Sequence, residues 1–79
     1  MTAREALEEV HKDLATAFGE ELAERILTVA LNTNRAPEGE LDPGAYAEVL
    51  RSLCKDERVI GMYGELSVRD KMTKWEKLV

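Results

Sequence analysis

The stretch "TAREALEEVHKDLATAFGEELAERILTVAL", residues 2–31, decides the fold. Thr2 and Glu5 stand at capping-box spacing, where each side chain can accept from a backbone N–H of the first turn. Ala3, Leu7, Val10, Leu14, Ala17 and Phe18 then recur at three- and four-residue steps, the period of one helix face. Gly19 fits the left-handed position that ends many helices. A second helix is predicted from about Glu20 to Leu31, carrying Leu22, Ala23, Ile26, Leu27, Val29, Ala30 and Leu31. Glu20, Glu21 and Glu24 lie in its early turns, where the helix dipole favours negative charge. A single glycine between the two helices predicts a tight helical hairpin.

Outward from this hairpin the signals weaken. Residues 32–44, "NTNRAPEGELDPG", show no helical spacing and hold Asn, Pro and Gly throughout, so they read as a loop. Asp42 as cap with Pro43 at the first helical position then starts a third helix, with Tyr46, Val49, Leu50, Leu53 and Cys54 on one side. "ERVIGMYG" suits a short helix stopped at Gly64. "SVRDKMTKWEKLV" opens with a second apparent box, Ser67 with Asp70, and places Val68, Met72, Trp75 and Val79 on a narrow stripe. The expected fold is all-α, a compact bundle of four to five short helices. It forms one domain over 1–79: hairpin 2–31, loop 32–42, C-terminal helices 43–79.

Length and composition agree with this reading. A chain of 79 residues buries only about 60% of its unfolded surface, so its core is modest. The richest apolar run, "ILTVAL" at 26–31, is far below the ~20 residues of a membrane crossing, so no membrane association is expected. With no cationic head and apolar stretch at its start, and one cysteine that cannot pair internally, the chain is expected to be cytoplasmic. The net charge of −5 is uneven: residues 1–31 carry three Lys/Arg against seven Asp/Glu, and residues 57–79 five against four. Nucleic acid is disfavoured as a partner, because Lys and Arg neutralising phosphates supply most non-specific affinity.

The residue types that carry chemistry are few. Glu8 and His11 share a helix face at a spacing used by di-iron bundles, but those need the pattern twice, with further glutamates from two more helices. His11 is the only histidine, and it lies near the edge of the apolar stripe, so a boundary or solvated histidine is expected and no metal or cofactor. Cys54 beside Leu53 reads as a small buried apolar side chain rather than a nucleophile, since His11 is the only imidazole that could activate it. All five glycines stand singly, and no phosphate cradle matches. An acyl carrier is excluded too: it needs a serine in an Asp-Ser-Leu setting near mid-chain, and Ser67 stands in "ELSV" near Val79.

Residues 58–75, "RVIGMYGELSVRDKMTKW", resemble the first half of a helix-turn-helix reader. The resemblance implies a further helix beyond Val79 to enter the major groove. Without it, these are two packed helices joined by a glycine turn.

The leading expectation is therefore a non-enzymatic helical protein–protein interaction or adaptor module. It would dock on another protein or on a second copy of itself, with no small-molecule substrate. Candidate contacts are Leu27, Leu31, Met62, Tyr63, Met72 and Trp75, since aromatic residues and Met are enriched at interface centres. The Met72–Trp75 stripe equally suits closure of the chain's own core, with its rim of cations facing the acidic first helix. The alternative is a nucleic-acid accessory protein using Arg58, Arg69, Lys71, Lys74 and Lys77.

Overall fold

The capping box at Thr2 and Glu5 forms as the sequence predicts: Thr2 N donates to Glu5 Oε1 at 3.0 Å, and Glu5 N to Thr2 Oγ1 at 3.2 Å. It opens α1, Ala3–Phe18, in a computed structural model that describes residues 1–36 and 41–79. Four helices follow: α2 Glu20–Thr33, α3 Pro43–Lys55, α4 Glu57–Tyr63 and α5 Glu65–Glu76. No strand occurs among the described residues, and the chain is all-α with five helices. Its radius of gyration, 11.3 Å, is that of one compact globule of this length.

The apolar stripes meet as their spacing requires. Ala3, Leu7, Val10 and Leu14 of α1 are buried, joined by Ala23, Ile26 and Ala30 of α2 and by Tyr46, Val49, Leu50 and Leu53 of α3. Val59 from α4, with Val68 and Trp75 from α5, closes this core. Tyr46 Oη donates to the carbonyl oxygen of Trp75 at 2.6 Å, so the largest two core side chains also join α3 to the end of α5. That bond satisfies a hydroxyl that would otherwise be costly to bury.

Helix boundaries differ from the sequence reading in three places, each for a local reason. Gly19 has φ 85° and ψ 157°, a region essentially closed to other residues, rather than the left-handed helical position. It ends α1 through Gly19 N to Ala15 O and starts α2 through Ala23 N to Gly19 O, so no residue is spent on a connection. Gly64 repeats the geometry at φ 83° and ψ 155°. The expected Ser67–Asp70 box is corrected for that reason: α5 already runs from Glu65, Val68 N donates to Gly64 O, and Ser67 lies inside the helix.

The third difference is at the expected loop. Asn32 and Thr33 belong to α2, whose end is closed by Ala36 N to Leu31 O and Arg35 N to Asn32 O. This Schellman pattern puts Arg35 at φ 52°, where glycine is the usual occupant. Residues 37–40 of the predicted loop lie outside the described residues. After them Leu41 is buried, and Asp42 caps α3 by accepting from Ala45 N at 2.7 Å, with Pro43 as the first helical residue.

Candidate interaction surfaces

The hairpin places Leu27 and Leu31 side by side on α2, one helical turn apart and both half-buried. With Leu7 they form the apolar bed of an open groove of about 560 Å³ between α1 and α2. Its rim carries Glu8, His11, Lys12 and Glu24. The histidine thus stands half-buried at a groove edge beside one carboxylate of its own helix and one of the next. Among the described residues no three His, Cys, Asp or Glu side chains gather as a metal would require.

Cys54 is far from that arrangement. It is half-buried on α3, with Sγ 4.0 Å from the carbonyl oxygen of Val68. Burial pushes its thiol up to about 11, helped by the charge of Glu76, so at neutral pH it is protonated and a poor nucleophile.

The four C-terminal contact candidates separate. Trp75 has no exposed surface, which corrects the expectation that it lines a contact face. Its indole Nε1 instead donates to Asp13 Oδ2 at 2.9 Å. Met72 is half-buried on the same helix. Tyr63 packs its ring edge-on to Phe18, centroids 6.2 Å apart and planes at 86°, and its hydroxyl donates to the Asp13 carbonyl at 3.4 Å. Met62 remains 51% exposed.

The cations expected to meet nucleic acid are largely engaged within the fold. Lys74 and Lys71 reach Asp13 Oδ2 at 3.4 and 3.7 Å, as a cationic rim facing the acidic first helix requires. Arg58 holds Asp56 with two nitrogens, Nε at 3.2 Å and Nη2 at 3.0 Å. Arg69 and Lys77 are exposed, and neither side chain has an ion-pair partner among the described residues.

Sequence reasoning missed Leu66, which is 78% exposed. The signal was present in Gly64-Glu65, which repeats Gly19-Glu20 and starts a helix at once. Counting from Glu65 at 100° per residue puts Leu66 about 160–180° around α5 from Val68 and Trp75, on the side away from the core.

No family model matches this chain, and neither does any curated protein or solved structure. What the geometry defines is a class: a single all-α domain of five short helices. Among the described residues no helix is long and apolar enough to cross a membrane.

Proposed function

We propose that this chain is a small non-enzymatic interaction module that docks on another protein, or on a second copy of itself, through the face formed by α1 and α2. The observation that carries this reading is the groove bedded by Leu7, Leu27 and Leu31 with a charged rim, the pattern of an apolar centre and polar edge seen at protein interfaces. The alternating signs of Glu8, Lys12 and Glu24 would fix orientation more than strength. The separation of His11 from Cys54 and the protonated state of that thiol support a binding rather than a catalytic role. A single cysteine supports a cytoplasmic setting.

Two measurements test it together: solution mass across a range of concentrations, and recovery of a bound partner from the native host. Wild type should either self-associate or retain a partner, and Leu27→Ser with Leu31→Ser should abolish whichever occurs. Because both leucines are half-buried, Glu24→Lys on the exposed rim serves as the variant that leaves the core intact. If association is unchanged in both variants, or wild type neither self-associates nor retains a partner, the reading fails.

A further inference from the structure

The end of the molecule where α1 turns into α2 and α4 turns into α5 carries a second surface. Phe18-Gly19-Glu20 and Tyr63-Gly64-Glu65 make nearly the same backbone turn, and the two aromatic rings meet edge to face, so the corners stand side by side. Leu66 and Met62 flank Gly64 with 78% and 51% of their surface in water. An open concavity of about 430 Å³ adjoins the other corner, bordered by Phe18, Glu20, Glu21 and half-buried Leu22.

The charge around these apolar groups is negative. Glu20, Glu21, Glu65 and Asp70 stand against Arg25 and Arg69, four acids to two cations. Arg25 is already paired with Glu21 at 3.3 Å. The half-charges of the two helix starts offset part of this excess but not all of it. Lys71 lies over the Tyr63 ring at 5.3 Å, and its ammonium is shared with Asp13.

We infer that this paired corner is a docking surface for a basic amphipathic helix of another protein. The apolar face of that helix covers Leu66, Met62 and the concavity beside Phe18, while its Lys or Arg side chains meet Glu20 and Glu65. An apolar anchor with an oppositely charged rim is the arrangement by which helices are held in grooves. A second copy of this chain does not supply such a helix. Its own basic helix, α5, turns Val68 and Trp75 into the core and spends Lys71 and Lys74 on Asp13. This surface is separate from the α1–α2 groove, and its test is independent of that reading.

The experiment is amide shift mapping of the full chain, titrated with a synthetic Leu/Lys amphipathic peptide of about 18 residues, long enough to be helical when bound. A Leu/Glu peptide of the same pattern is the control. Saturable shifts should centre on residues 18–22 and 62–66 with the Leu/Lys peptide only. Met62→Ser with Leu66→Ser should weaken binding about tenfold or more, a loss of about 1.4 kcal/mol at least. Glu20→Gln with Glu65→Gln should weaken it several-fold and reduce its salt dependence. Since all four side chains are exposed, these variants should keep the circular dichroism of wild type, and should the serine pair unfold, the glutamine pair decides alone. Shifts that fail to saturate, shifts confined to the Leu27–Leu31 groove, or unchanged affinity in the decisive variant would overturn the proposal.

Discussion

The indole Nε1 of Trp75 donates to Oδ2 of Asp13 at 2.9 Å, joining residues 62 positions apart in the chain. The same carboxylate receives Lys74 and Lys71, and the Asp13 carbonyl receives the hydroxyl of Tyr63. One residue of α1 therefore ties down the end of α4 and the length of α5. Burial would raise the Asp13 carboxyl, but the Trp75 bond and the two ammonium groups outweigh it and hold the group below its usual value.

Acid should release this tie. A carboxyl with a depressed folded pKa contributes stability above its unfolded value of about 4, and loses it as pH falls through the folded value. Asp13→Asn keeps an oxygen for Trp75 but drops both ion pairs. It should cost about 1 kcal/mol at pH 7 and reduce the acid-induced loss below about pH 4. Urea unfolding of both proteins across that range measures the difference. Glu5 and Asp56 are also depressed and titrate in both proteins, so only the difference reports Asp13. Parallel pH curves would refute it.

Alanine at Gly19 or Gly64 should destabilise the protein by about 1–3 kcal/mol each, because the conformation is closed to L-residues. The cost is confined to the backbone, since an added Cβ meets nothing within 4 Å at either position. Gly61, inside α4 with ordinary φ and the same open space, provides the opposite case. Gly61→Ala should stabilise by about 0.5–1 kcal/mol through helix propensity and a less flexible unfolded chain. Chemical denaturation of the three variants reads the sign directly, and a stable Gly19→Ala would remove the account given for the corners.

Cys54 should react slowly with a thiol reagent. With its pKa at about 11, the thiolate fraction at pH 8 is roughly a hundredfold lower than for a free cysteine near 8.5. Modification by iodoacetamide should therefore be about that much slower in the native protein than in urea, before any steric protection is added. Equal rates in the two conditions would mean that α3 and α5 part freely at this point.

Much of the fold was legible because its causes are local. A capping box, a proline at the first helical position and apolar residues at three- and four-residue steps depend only on neighbours within a turn or two. They placed α1 within a residue of its observed start and identified Val10, Leu14, Ile26, Tyr46 and Leu53 as inward-facing or apolar-face residues. The same reasoning misread Ser67 and Asp70. A capping pattern can also occur inside a helix, and Gly64 had already begun α5 two residues earlier.

From the sequence alone, then, came the helical class, the face each of the first three helices turns inward, and the shortage of groups that could converge on a substrate. The tertiary structure decided which apolar side chains are covered. Trp75 and Leu66 are both large, apolar and on one helix, yet the first has no exposed surface and the second is 78% exposed. The reason is that burial belongs to the surface a residue meets. For Trp75 that surface includes Asp13 and Tyr46, from α1 and α3, at separations no local period encodes.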